Sequence, residues 1–206
     1  MSTETPAIGT SRRDFLKSTG TLAAAGALAG VTLPHVFAAE NNTIKIALIG
    51  AGGRGTGAAG NAMSARNAQV KLVAIADVFK DRLNTSYEGL KNQFGNKVDV
   101  PEDRRFIGFD GYQKAMESLG KGDIAIFATP PAFRWVFFKY AIEKGINVFM
   151  EKPVAVDAPS AKRMMELSDE ATKKNIKVGV GLMCRHCRAR QELHKKIQNG
   201  DIGQII

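Results

Sequence analysis

Cysteine, histidine and long apolar runs are all scarce in this chain of 206 residues. A zinc site takes four ligands. Cys184 and Cys187 have only His186 beside them, while His35 falls in the N-terminal tail and His194 on the polar face of a predicted helix. No metal is therefore expected. There is no low-complexity tract of the kind that marks disorder. The apolar stretch from Thr21 to Leu33 is shorter than the roughly 20 residues a membrane-spanning helix needs, so no stable membrane anchor is expected. The net charge is +9, but its lysines are scattered over several predicted helices, without basic-aromatic interleaving or a recognition-helix pattern. That distribution describes solvated surface and argues against nucleic acid as a partner.

What is present begins with an address. Ser11-Arg12-Arg13-Asp14-Phe15-Leu16-Lys17 is a twin-arginine pattern, followed by the weakly apolar Thr21–Leu33 run and a break at Pro34. Val36-Phe37-Ala38-Ala39 then supplies small residues for cleavage. Residues 1–39 are read as a twin-arginine signal peptide and the protein as periplasmic or otherwise exported by that route. The signal carries little of the charge: Arg12, Arg13 and Lys17 offset Glu4 and Asp14 there, leaving +8 on the rest.

From Thr43 the chain alternates short apolar runs with helical spacing, the pattern of an α/β protein whose mostly parallel sheet is covered on both faces. Strands are predicted at Ile44–Ile49, Val70–Ala76, Arg105–Ile107, Asp123–Ala128, Asn147–Met150 and Ile176–Val180. Phe133, Val136, Phe137, Tyr140 and Ala141 form one helical stripe, stopped by Gly145. A later helix opens at Asp157 as N-cap with Pro159 in its first turn, and is expected to bury Ala161, Met164, Met165 and Ala171. A last helix runs from about Arg185 to Asn199-Gly200, with Ala189, Leu193 and Ile197 at every fourth position. The expected organisation is a doubly wound Rossmann domain over 43–200, then a truncated second domain beginning at 201–206, with the substrate domain missing.

Ile44–Ile49 runs straight into Gly50-Ala51-Gly52-Gly53-Arg54-Gly55. In a G-x-G-x-x-G turn the first glycine permits the tight bend and the second lets backbone approach a pyrophosphate. The third lets the helix pack closely on the strand, with the helix N-terminus supplying amide donors. Gly53 sits within this cradle, and Arg54 offers a charged clamp. Asp77 closes the second predicted strand, placed to accept from ribose hydroxyls. A carboxylate there repels a 2′-phosphate, so NAD is favoured over NADP, with Lys80 near enough to soften that preference. The alternative role for Asp77 is N-cap of the next helix.

Two further loops stand at predicted carboxyl ends of strands: Ala128-Thr129-Pro130-Pro131 and Phe149-Met150-Glu151-Lys152-Pro153-Val154. With the glycine turn they resemble the glucose–fructose oxidoreductase, inositol dehydrogenase and rhizopine-catabolism family (Gfo/Idh/MocA) over Thr43 to Ile206. The resemblance implies a cofactor site formed by Gly50, Gly52, Gly53, Arg54, Gly55, Asp77, Thr129, Pro130, Glu151 and Lys152. It also implies that Lys152 is the catalytic residue, reaching nicotinamide and the substrate hydroxyl as a buried ammonium. Glu151 would hold the cofactor edge or orient the lysine, and Lys152–Pro153 is a candidate cis peptide. Where many members carry a histidine after the Thr-Pro-Pro, this chain has Arg134. Such a residue binds an anionic group but relays no proton; the other reading is a solvated helix-start residue. Arg185, then His186, are the choices for residues facing substrate. The family's catalytic Asp and His belong to the second domain, through which homo-oligomers are expected to form.

Three functions remain open at this level. One is an NAD(P)-dependent oxidoreductase acting on a sugar, cyclitol or glycoside hydroxyl. The second is a glycosidase of the α-N-acetylgalactosaminidase type that keeps NAD bound, and the third a dinucleotide-binding module without chemistry. Cys184 and Cys187 read as ordinary thiols beside the cofactor edge or as a local disulfide.

Overall fold

The computed structural model describes residues 43–203. The predicted signal and its cleavage site lie outside the described residues, as do 204–206.

Six strands form one all-parallel sheet: β1 (Thr43–Ile49), β2 (Gln69–Asp77), β3 (Arg105–Ile107), β4 (Ile124–Phe127), β5 (Asn147–Met150) and β6 (Val178–Val180). Their spatial order is β3-β2-β1-β4-β5-β6. The chain starts in the middle, winds outward one way, and returns to the middle before winding the other way. The reversal falls between β1 and β4, and there the loops leaving adjacent strands part to open a crevice.

Apolar residues point to both faces of the sheet. Ile46 and Leu48 of β1 join Leu72, Ile75 and Ile126 on one face, against Ala58, Ala59 and Met63 of α1 (Gly53–Met63) and Leu83 and Leu90 of α2 (Lys80–Phe94). Ala47 and Ile49 join Ala76, Phe127, Val148 and Met150 on the other. That face is covered by α3 (Gly111–Glu117), α4 (Arg134–Lys144) and α5 (Ala158–Lys173). Alternate residues of a strand point opposite ways, so two helical layers account for the near-continuous apolar runs. Each fully buried Leu or Ile contributes about 1.5–3 kcal/mol.

The remaining differences from expectation have local causes. Asp123 lies before β4 because its carboxylate serves the loop, accepting from Lys45 N at 2.9 Å and Gly120 N at 2.8 Å. On α5 the buried stripe is Ser160, Met164 and Ala171, with Leu167 half-buried. Ala161 and Met165 each sit one residue, or about 100°, off that stripe and are exposed, Met165 at 71%. The strand expected from Ile176 begins at Val178, after Asn175 leaves α5 in the left-handed region at φ 57°. β6 is the edge strand, and its burial is slight: Val178 and Gly179 are exposed and only Val180 is half-buried against the core. The last helix is two: α6 (Met183–His186) and α7 (Arg188–Gln198), divided where Cys187 turns extended at ψ 117°. Ala189 and Leu193 of α7 are exposed.

Gly145 ends α4 at φ 72° in the left-handed conformation, as expected. Asp157 opens α5 with a reciprocal cap: its Oδ1 accepts from Ser160 N at 2.7 Å, and its own N–H donates to Ser160 Oγ at 3.1 Å. The side-chain hydrogen bond with Ser160, followed by the backbone one, holds the Asp157 carboxyl below its usual value. The capping contribution is therefore fully present above the ordinary aspartate pKa of about 3.9 and is lost as pH falls through the lower folded value. Wild type should melt above Asp157→Ala at neutral pH, and thermal melts from neutral to strongly acid solution should show that gap narrowing only below the ordinary aspartate range.

Candidate cofactor and reaction site

The carboxyl edge of the sheet is built by extending its own ladder. Gly50 N donates to Ala76 O, Ala128 N to Ile49 O, Glu151 N to Phe127 O and Gly181 N to Met150 O, each at 2.9 Å. Four loops thus leave from one hydrogen-bonded row. A cleft of about 170 Å³ opens along this edge between the loops after β1, β2, β3 and β4, lined by Gly50, Gly52, Asp77, Thr129 and Pro130, with Phe79, Phe109 and Phe133 at its rim.

The glycine turn has the mechanical form its spacing predicts. Gly50 adopts φ 94°, and a Cβ there would meet Ala128 C and Thr129 N at 2.8 Å. A Cβ on Gly55 would stand 1.9 Å from the Gly50 carbonyl oxygen, so α1 approaches the turn as closely as backbone allows. Gly52 and Gly53, by contrast, have nothing among the described residues within 4 Å of the Cβ position. That open cradle at the start of an 11-residue helix suits the pyrophosphate of a dinucleotide. Among the described residues, the buried Thr129 Oγ1 beside the cleft has no partner, a further polar atom for a bound group to satisfy.

Asp77 Oδ2 accepts from Ala51 N at 2.7 Å and Oδ1 from Phe79 N at 2.9 Å. The carboxylate braces the glycine turn from the end of β2 and keeps free lone pairs for a ribose hydroxyl. It does not cap α2, whose N-cap is Phe79. Arg82 stacks its guanidinium 4.8 Å from the Phe79 ring centroid.

The Glu-Lys-Pro loop differs in detail from its expectation. Lys152–Pro153 is cis. Lys152 is exposed at the edge of the sheet, not buried. Glu151 is the buried member, 6% exposed, and its carboxylate pairs with Arg54. Arg54 is thus engaged with Glu151 rather than standing free as a phosphate clamp. Gly181 lies against the same carboxylate: a Cβ there would come within 2.3 Å of Glu151 Oε1.

Arg134 departs from both of its expected roles. It is 1% exposed, and its guanidinium donates to the backbone carbonyls of Glu151 and of Thr129, the latter at 2.6 Å. Burial pushes its pKa below the ordinary arginine value, opposed by the negative charge of Glu151. It neither meets solvent nor faces the cleft.

Arg185 and His186 are exposed on α6. Among the described residues, no ion pair or side-chain hydrogen bond ties either one to the Glu151–Lys152 loop. Cys184 is exposed and Cys187 half-buried, both as free thiols. Sequence reasoning missed Phe79 and Phe109, exposed at 52% and 75%, and placed Phe133 only on an apolar helical stripe, although it is 41% exposed. The positions of Phe79 and Phe109, just past the ends of β2 and β3, were the available signal.

The sequence matches the family described as "Oxidoreductase family, NAD-binding Rossmann fold" over residues 44–182. The chain belongs to the Gfo/Idh/MocA oxidoreductase family. A twin-arginine translocation signal sequence is matched at residues 9–29, which directs the chain to export by that route. Among the described residues no helix is long and apolar enough to cross a membrane. Inositol 2-dehydrogenase 1 of Paenarthrobacter aurescens is 27% identical over 80% of this chain and 44% of its own length. The crystal structure of myo-inositol 2-dehydrogenase from Lactobacillus plantarum, 27% identical, superposes with a TM-score of 0.61 over 80% of this chain and 43% of that one. Scyllo-inositol dehydrogenase from Lactobacillus casei, solved with bound NAD(H) and scyllo-inositol, is 25% identical with a TM-score of 0.59, covering 79% of this chain and 43% of that one. The chain spans less than half the length of these Gfo/Idh/MocA relatives.

The two kinds of glycine in the turn separate by experiment. Gly55→Ala drives a methyl into backbone and should destabilise the fold by about 1–3 kcal/mol in urea denaturation. Gly52→Ala should leave the denaturation midpoint unchanged and weaken NADH binding in a fluorescence titration. Equal effects on both readouts would contradict the distinction.

Proposed function

We propose that the full-length protein is an NAD-dependent oxidoreductase that transfers a hydride between a hydroxyl-bearing carbon of a sugar or cyclitol and nicotinamide. One arrangement carries this reading: Lys152 follows a buried glutamate on a loop beside the open Gly52–Gly53 cradle, in a chain of this family. Gly50, Gly52, Gly53 and Gly55 shape the pyrophosphate seat, and Asp77 receives the ribose. Thr129 and Pro130 line the cleft near the reversal of strand order.

When bound, the cofactor supplies the hydride acceptor. The protein's own contribution is electrostatic. The Lys152 Nζ donates a hydrogen bond to the substrate hydroxyl oxygen and stabilises the negative charge that grows there as the hydroxyl proton passes to solvent and the hydride to nicotinamide. Lys152 is exposed at present, so bound cofactor and substrate supply the dry surroundings in which that interaction gains strength. Glu151 keeps its carboxylate on Arg54 and so acts on the geometry of the loop. Arg185 and His186, on the helix that follows β6, are proposed to face substrate. A carboxylate at Asp77 favours NAD over NADP. A glycosidase that retains its dinucleotide is the less favoured reading, because the relatives described above are dehydrogenases.

The test offers the full-length protein a panel of inositols and D-glucosides with NAD and follows reduced nicotinamide by absorbance. Turnover is expected with at least one member. Lys152→Ala should lower kcat by about 10²–10⁴-fold while NADH still binds. Cofactor binding without turnover across the panel, or full activity in Lys152→Ala, would refute the reading.

A further inference from the structure

We propose that Arg134 is the positioning residue for Lys152, holding the peptide plane that joins Glu151 to the lysine. The inference rests on the proposed role of Lys152 and extends it to a residue that touches neither cofactor nor substrate.

The buried guanidinium of Arg134 donates to two carbonyls from two different loops. Thr129 belongs to the loop after β4 and lines the cleft. Glu151 belongs to the loop after β5 and precedes Lys152 in the chain. The carbonyl carbon and oxygen of Glu151 lie in the same rigid peptide plane as the nitrogen and Cα of Lys152. Fixing that oxygen therefore fixes where the lysine side chain starts. Joining it to Thr129 fixes it relative to the wall of the cleft.

The residue type suits the task and little else. Arginine presents several donors in a planar fork that spans two acceptors, which the compact ammonium of lysine does less well. For stability alone the position is poor. A positive charge occupies the first residue of α4, where the helix dipole is itself positive. The side chain is buried at 1% exposure, and its Nε has no partner among the described residues. The compensation comes from Glu151, whose negative charge opposes the effect of burial on Arg134 and whose carboxylate is held from the other side by Arg54. Two arginines thus hold the residue before Lys152, one at its carboxylate and one at its carbonyl.

The test uses the full-length protein, NADH as the probe and a water-soluble amine-acylating reagent. The rate at which Lys152 is acylated is followed by peptide mass spectrometry, with exposed Lys162 of α5 as internal reference. In wild type, NADH should protect Lys152 and leave Lys162 unaffected. Arg134→Leu should bind NADH within about threefold of wild type but lose most of the protection of Lys152 per bound NADH. Millimolar guanidinium should restore part of that protection. Arg134→Lys, which keeps the charge without the fork, should lie between the two and carries the same readout should Arg134→Leu fail to fold. Undiminished protection of Lys152 in a folded variant would overturn the proposal and leave the role of Lys152 standing. A collapse of NADH affinity in both variants would also overturn it, by making Arg134 part of the cofactor seat. Absence of protection in wild type would overturn the role of Lys152 and this inference together.

Discussion

Helix α1 can start where it does only because Gly55 has no side chain. The Cβ position there lies 1.9 Å from the Gly50 carbonyl oxygen, and a Cβ on Gly50 would in turn strike Ala128 and Thr129 at 2.8 Å. Backbone rests on backbone through three successive layers: helix, turn, and the loop after β4. That contact brings the first turn of α1 level with the carboxyl edge of the sheet, with the cradle at Gly52 and Gly53 open above it. Asp77 then braces the turn from β2. The cleft is consequently shaped before any ligand arrives, which lowers the ordering cost of binding.

The parts of the site that were legible in the sequence are those whose geometry is decided within a few residues. A glycine turn between an apolar strand and a small-residue helix has one mechanical solution. The Asp157 cap and the Gly145 stop are equally local. The partnerships that were not legible join distant segments. Arg54 and Glu151 are 97 residues apart, and neither residue type names the other as partner. Gly181 reads as a loop glycine until the Glu151 carboxylate is found where its Cβ would be. Arg134 occupies a helix start, where a charged residue ordinarily meets solvent, and only the convergence of two loops on its guanidinium explains its burial.

Burial was misread wherever periodicity was taken to say what covers an element. Met165 and Ala161 lie beside the true stripe of α5, and the four-residue spacing of α7 leaves Leu193 exposed. A hydrophobic pattern shows which face of an element is apolar. The sheet and its neighbours decide whether that face is covered. The same distinction separates Phe133 from Phe137, four residues apart on one face: Phe137 packs in the core, while Phe133 stands at the rim of the cleft.

The two arginines that hold Glu151 stand in different media. Arg134 is enclosed, whereas the Arg54 side chain is 49% exposed. Mobile ions screen charges over a distance of about 8–10 Å at ordinary ionic strength, and they reach an exposed pair far more effectively than a buried one. The outer contact, which links α1 to the loop after β5, joins a half-exposed guanidinium to a buried carboxylate and so is screened less than a fully exposed pair, and the inner one is enclosed. The Gly50–Gly55 turn is thus tied to the loop after β5 through a contact that water partly reaches, while that loop's anchor on α4 is enclosed.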